Sequence, residues 1–312
     1  MKPVIVLVLS VLTVLGPVRA SAQEEREIPI PGSDDAIIRA DIVFTTTSDE
    51  DVDKMIAGAE PLPMPQLPPF TEDEQPPVDP NGPVYGEPLF GDPSLTGGIA
   101  TLVPRSERFR APAASVGKLF FKLNGKDYVC SAQLVGNFDV VVTAGHCVYD
   151  NRVAATDIYF APLYPIPGIG RYQAVAAYTS LFWRAYRNFE HDYAVIKLKY
   201  PVLHGMSALG FIARPNFRHF EWTAYGYPAE GRFDGQSLFH VAGSGPILDR
   251  LPFVKMASDM TRGSSGGGWI NNNRVVGVNS HTRDGVPNTV YSAYLGTGFC
   301  IALRDAAGLC NP

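Results

Sequence analysis

Three short stretches of this chain carry residues that could cooperate in nucleophilic chemistry. Thr143-Ala144-Gly145-His146-Cys147 offers an imidazole, and His191-Asp192-Tyr193-Ala194-Val195-Ile196-Lys197-Leu198 offers a carboxylate at the head of an apolar run. Gly263-Ser264-Ser265-Gly266-Gly267 offers hydroxyls in a glycine-rich loop. A serine keeps its proton at neutral pH. It becomes a nucleophile when a neighbouring imidazole takes that proton and a carboxylate holds the imidazole in the right tautomer. The glycines have a second use: they let the backbone turn so that the amides of Gly263 and Ser265 aim at one spot, where an oxyanion would develop. A Gly/Ser loop alone is as often a plain turn, but all three stretches in the order His, Asp, Ser are specific.

In these motifs the chain resembles the trypsin-like (chymotrypsin-fold) serine endopeptidases, and among them the secreted bacterial branch that includes the glutamyl endopeptidases. The resemblance runs from about Val116 onward. It implies His146 as general base, Asp192 as its orienting partner and Ser265 as nucleophile, acting on protein or peptide substrates without a cofactor. It further implies two antiparallel six-stranded Greek-key barrels with the active site in the cleft between them, His146 and Asp192 in the first and Ser265 in the second. A disulfide bridging the histidine loop through Cys130 and Cys147 follows from the same resemblance. Cys300 and Cys310 are left near the C-terminus and are expected to pair with each other.

The resemblance also nominates substrate-binding positions. Ser280 matches a family serine beside the triad carboxylate that borders the cleft. Asp259 lies six residues before Ser265, where trypsin has the carboxylate at the base of its specificity pocket, and would attract Arg or Lys. Thr282 and Thr289 fall where trypsin has glycines lining that pocket. Asn279 occupies the place where glutamate-specific relatives have a histidine contacting the substrate. The expected preference is for cleavage after basic residues; glutamyl endopeptidase is the alternative, and a catalytically silent, protease-like binding protein is the alternative from another class. Ser264 replaces the aspartate that pairs with a new N-terminal amine in trypsin-like zymogens, so that ion pair cannot activate this chain.

Bulk properties narrow the compartment and the partners. With 312 residues and a net charge of −5, and no basic stripe, the chain does not read as a nucleic-acid binder. Lys2, the apolar run 4–15 and the small-x-small site Ala20-Ser21-Ala22 read as a signal peptide over 1–22, which predicts a secreted protein. The apolar run is too short to span a bilayer comfortably, and no later stretch approaches that length. Four cysteines suit an oxidising compartment. They form no Cys-x-x-Cys pair and no His-Glu-x-x-His motif is present, so no metal site is expected. His191 is expected to sit exposed at its strand entrance, and a monomer is expected.

The elements that must position these residues divide the chain in two. Residues 23–113 are rich in proline, most densely around 61–80, and read as a largely disordered pro-segment or linker. Arg105, Arg108 and Arg110 form either a processing zone, with a cut before Ala113, or a plain surface tail. The protease domain is then 114–312. Its sequence predicts strands at 118–123 and 128–135 joined by Asn124-Gly125, a strong hairpin signal. Further strands are predicted at 139–143, 193–198, 221–227, 237–242, 253–257, 269–270, 274–278 and 288–295, with a short helix at 301–307. Many antiparallel strands without a βαβ rhythm give an all-β fold.

Overall fold

A computed structural model of the chain describes residues 24–46, 48–69, 98–202, 206–213, 220–245 and 254–310. The signal peptide expected over 1–22 lies outside the described residues.

The first barrel grows from the Asn-Gly hairpin. Leu119, Phe120 and Phe121 precede it and Tyr128 and Val129 follow it, and Asn124 and Gly125 both take the positive φ that a two-residue hairpin turn requires. To number the strands in chain order, β1 (Glu25–Pro29), β2 (Ala36–Asp41), β3 (Glu60–Pro61), β4 (Gln66–Leu67) and β5 (Thr101–Leu102) precede the hairpin. The hairpin is β6 (Val116–Leu123) and β7 (Lys126–Leu134). Next come β8 (Val140–Thr143), a small hairpin of β9 (Tyr149–Asp150) and β10 (Val153–Ala154), then β11 (Thr156–Pro162), β12 (Tyr172–Ser180) and β13 (Ala194–Leu198). The pairing order β12-β11-β6-β7-β8-β13 closes when β13 pairs with β12, giving a six-stranded barrel. Its interior is packed with Leu119, Phe121, Val141, Phe160 and Ile196, all fully or almost fully buried.

The second half contains β14 (Gly210–Phe211), β15 (Phe220–Gly226), β16 (Phe239–Gly245), β17 (Val254–Ala257), β18 (Gly268–Asn271), β19 (Arg274–Arg283) and β20 (Val286–Ser292). These pair in the order β17-β20-β19-β18-β15-β16, and β5 adds to the edge of β16. Among the described residues no pairing joins β17 back to β16. The second unit is a half-barrel over these residues, and with the closed first barrel it makes up the expected two-barrel fold. Stacked Trp222 and Trp269 fill its core with Met256 and Val276. Of the helices, α1 (Asp49–Gly58) and α2 (Leu181–Tyr186) lie on the first barrel. The C-terminal α3 (Thr297–Ala307) begins four residues earlier than the sequence predicts and packs Phe299 against Tyr193.

Where the sequence reads as largely disordered over 23–113, the described residues 24–46, 48–69 and 98–113 contain strands and a helix; residues 70–97 lie outside the described ones. β1 and β2 form a hairpin, and β2 continues the first sheet by pairing with β12, Ile37 opposite Ser180 and Asp41 opposite Ala176. α1 is capped by Ser48, whose side chain accepts from the Asp51 amide, and buries Val52 and Met55 against Phe120, Val129 and Tyr159. The apolar run Ala36-Ile37-Ile38, with Ala40, supplied the buried residues; the proline-rich stretch downstream masked it.

Residues ahead of the expected domain start at 114 also pack on the second half. Ala100 and Val103 are buried, Val103 donates to the Leu238 carbonyl, and β5 pairs with β16. A cut between Arg105 and Ala113 would sever this strand from the half-barrel it completes.

Candidate active site

His146 ends β8 in a short turn, and Asp192 precedes β13, which pairs with β8. Adjacent strands thus bring the two side chains together. The Asp192 Oδ2 accepts from His146 Nδ1 at 2.9 Å, and its Oδ1 accepts from the His146 backbone amide at 2.7 Å. Gly145 permits this approach: a Cβ there would stand 3.0 Å from Asp192 Oδ1 and 3.0 Å from the Trp183 ring. Ser280 Oγ donates to Asp192 Oδ2 at 2.6 Å. Burial alone would raise the Asp192 pKa. The charge facing it at His146, the ring's hydrogen bond, the Ser280 hydroxyl and the His146 amide outweigh that and hold it below the ordinary 3.8. A carboxylate so held keeps the His146 Nδ1 protonated and leaves Nε2 as the acceptor.

The Gly263–Gly267 loop is shaped by its backbone. Gly263 and Gly266 have φ of +88° and +78°, a region closed to most side chains. Ser264 donates through Oγ to the Thr261 carbonyl, so its hydroxyl is spoken for. Gly266 donates to the Asn279 carbonyl and Asn279 donates back to Gly267. Ser265 projects from this loop with its Oγ buried. Among the described residues neither the Gly263 nor the Ser265 amide hydrogen has an intramolecular acceptor, while the intervening Ser264 amide bonds Thr261. The link between His146 Nε2 and Ser265 Oγ is open: both atoms are buried without a hydrogen-bond partner.

The remaining predicted positions divide. Ser280 is committed to Asp192. Asn279 does not face a substrate: its Oδ1 accepts from Trp269 Nε1 at 2.7 Å and its amide donates to the Ser264 carbonyl at 3.0 Å, tying β19 to the serine loop. Thr289 donates to the Pro287 carbonyl, and Thr282 offers its backbone amide at the cleft edge. Asp259, nominated for a basic preference, already has partners within the chain. Its Oδ1 accepts from the Ala100 amide at 2.7 Å and its Oδ2 takes Arg232 Nη2 at 2.6 Å. Both Asp259 carboxylate oxygens are therefore engaged within the chain.

His191 is only partly exposed and pairs through Nδ1 with Asp35 Oδ2 at 2.9 Å, an acid from the β1–β2 turn. The Cys130–Cys147 and Cys300–Cys310 disulfides are both formed. Cys130, Cys147 and His146 crowd within 4.8 Å, but the sulfurs are bonded to each other and present no thiolate to an ion.

Two residues escaped the sequence reading. Ser131 joins the halves: its amide donates to the Ser265 carbonyl and its hydroxyl to the Gly263 carbonyl, each at 2.8 Å. His281 stacks on Tyr291 and stands 2.9 Å from Ser280 Oγ. Since the one Ser280 hydrogen goes to Asp192, the His281 ring donates to Ser280. Burial pushes the His281 pKa down to about 3 despite the attraction of Asp192, so that ring is neutral. Adjacency to Cys130 and to Ser280 was the only signal for either.

Comparison with known proteins gives one consistent picture. Residues 110–241 match the family described as Trypsin. The thermostable serine protease AL20, from an extremophilic microorganism, is 32% identical; the match covers 64% of this chain and 99% of that one, with a TM-score of 0.57. Protease Anisep from Arthrobacter nicotinovorans is 29% identical over 64% of this chain and 98% of its own, with a TM-score of 0.58. A Glu endopeptidase shares the fold at 20% identity, covering 67% and 96% with a TM-score of 0.54. No curated protein matches the sequence.

Proposed function

This chain belongs to the trypsin-like, chymotrypsin-fold serine endopeptidases, and we propose that its hydrolytic centre is His146, Asp192 and Ser265, with the Gly263 and Ser265 amides as the oxyanion hole. The observation that carries the reading is the buried His146–Asp192 pair beside a serine whose own amide and that of Gly263 have no acceptor among the described residues. His146 Nε2 takes the Ser265 proton as Oγ attacks the scissile carbonyl carbon. The resulting oxyanion accepts from the two amides, and Asp192 stabilises the imidazolium. That imidazolium then protonates the leaving amine, which departs and leaves an acyl-enzyme. Water, deprotonated by the same ring, attacks the acyl carbon and releases the acid product.

The two disulfides and the signal-like N-terminus support a secreted enzyme with an N-terminal segment removed upstream of residue 98, since Ala100 and β5 are part of the half-barrel. A preference for basic residues would require Arg232 to leave Asp259. Peptides differing only in Arg, Glu or a small apolar residue before the scissile bond read this out; Arg preference is expected to rise in Arg232→Ala.

A fluorophosphonate label on protein recovered from a secreting culture tests the centre. Label on Ser265, and loss of turnover on the order of a million-fold in Ser265→Ala but not in Ser264→Ala, is the expected result. Full activity of Ser265→Ala would refute it.

A further inference from the structure

The cleft between the two halves is already occupied by the chain itself. β3 pairs in parallel with β7, Pro61 opposite Val129, and Leu62 donates to the Val129 carbonyl at 3.0 Å. The chain then crosses, and β4 pairs in parallel with β19, Gln66 opposite Thr282. Thr282 donates to the Pro65 carbonyl at 2.9 Å and Asp284 to the Leu67 carbonyl at 2.8 Å. On the way the strap passes the candidate oxyanion hole: a Cβ placed on Gly263 would stand 3.4 Å from Pro61 Cβ. Leu62 is buried in the first core and Met64 packs against the second. Under this strap Ser265 is 0% and His146 1% exposed.

We infer that residues 60–67 are an inhibitor carried in cis, which fills the substrate cleft until the N-terminal segment leaves. The inference rests on the hydrolytic centre proposed above. Backbone pairing to an exposed strand edge is how an extended peptide is held by a sheet, and here both edges of the cleft are spent on the strap. The strap's composition suits the task. Pro61, Pro63 and Pro65 alternate with Leu62 and Met64, which stiffens an extended chain and reduces the entropy lost on docking. Its two contacts are short, yet the tether makes them effective. The β1–β2 hairpin and α1 fix the strap's origin on the first barrel, so docking is intramolecular at high effective concentration. Asp35 fastens that hairpin by accepting from Ser180 Oγ, the Phe182 amide and His191, the neighbour of Asp192.

The test uses the full chain with Leu62→Asp and, separately, Met64→Asp, both at positions outside the catalytic machinery. Fluorophosphonate labelling of Ser265 is followed by intact mass, counting only molecules that retain residues 24–69. Leu62→Asp is expected to label about thirty-fold faster than the unsubstituted chain, the factor that loss of one buried apolar side chain gives, and Met64→Asp, from a half-buried side chain, about ten-fold faster. Hydrogen exchange at the Thr282 and Asp284 amides is the second readout, independent of chemistry. Protection in the unsubstituted chain and its loss in the variants is expected. Equal labelling rates overturn the inhibition alone, and unprotected Thr282 and Asp284 amides in the unsubstituted chain overturn the docking. Absence of label from every species, processed ones included, overturns the nucleophile assignment and the inhibition with it.

Discussion

The two halves of the site are held by different physics. In the first barrel His146 is positioned by one side chain, a buried carboxylate that takes three hydrogen bonds and whose charge dictates the tautomer. In the half-barrel Ser265 is positioned through the loop backbone: positive-φ glycines, amide–carbonyl bonds to Asn279, and neutral side chains, Ser131 from across the cleft and Asn279, that hold the loop carbonyls. The first half should therefore be sensitive to charge and pH, the second to a single added carbon atom.

Asp192→Asn breaks the first half most severely. An amide can donate to His146 Nδ1 and select the wrong tautomer, so kcat should fall roughly ten-thousand-fold while the fold persists. Steady-state kinetics with a thermal unfolding curve checks both; a loss under ten-fold would mean that the carboxylate is only structural. Gly266→Ala is the matching lesion in the second half. The new Cβ would lie 2.5 Å from the Ser131 carbonyl oxygen and 2.8 Å from the Ala144 amide nitrogen, at a φ that alanine resists. Stability should drop by about 3 kcal/mol. Activity of the folded fraction should fall on the order of a hundred-fold through a displaced oxyanion amide. Unchanged unfolding and turnover would show that the loop is more pliant than its contacts imply.

Ser280→Ala removes one of the three bonds to Asp192. A loss of about ten-fold in kcat with KM little changed is expected, the scale of one charge-assisted hydrogen bond. Should KM rise instead, Ser280 would be acting on substrate rather than on Asp192.

The smallest effect separates the halves by pH. Asp192 and Asp35 have folded pKa values below the ordinary 3.8, in each case because partner hydrogen bonds and charge outweigh burial. A depressed carboxylate contributes stability that is complete above the unfolded value and is lost as pH falls through the folded one. The protein should therefore keep its unfolding temperature down to about pH 5 and lose it progressively below 3.8. Gly266→Ala should shift the whole curve without changing its shape, whereas Asp192→Asn should flatten it. Parallel curves for both variants would erase the distinction.

How much of this was legible in the residues can be read from particular elements. The hairpin at Asn124-Gly125 was visible because positive φ is a local requirement that few residues meet. The strand carrying Asp192 was visible as an apolar run. β12 was not: its alanines and polar residues alternate weakly, and it is a strand because β11, β13 and β2 all pair with it. The 36–41 strand and α1 were hidden by the prolines that follow them. Composition averages over a segment, whereas pairing is decided residue by residue.

By itself the sequence determined the chemistry on offer: an imidazole, a carboxylate and a serine among glycines, in an order and context that few folds share. It determined the cysteine pairs as candidates and the family to which the chain belongs. Only the tertiary structure decided that Asp259 is already neutralised by Arg232, that Asn279 faces the interior, and that residues 60–67 lie across the cleft. The reason is physical. Glycine turns and apolar periodicity are local properties of a chain. A carboxylate's partner, 27 residues away for Asp259 and Arg232, or the strand edge that a proline-rich segment will find, as Gln66 finds Thr282, depends on groups distant in sequence that only the folded chain brings close.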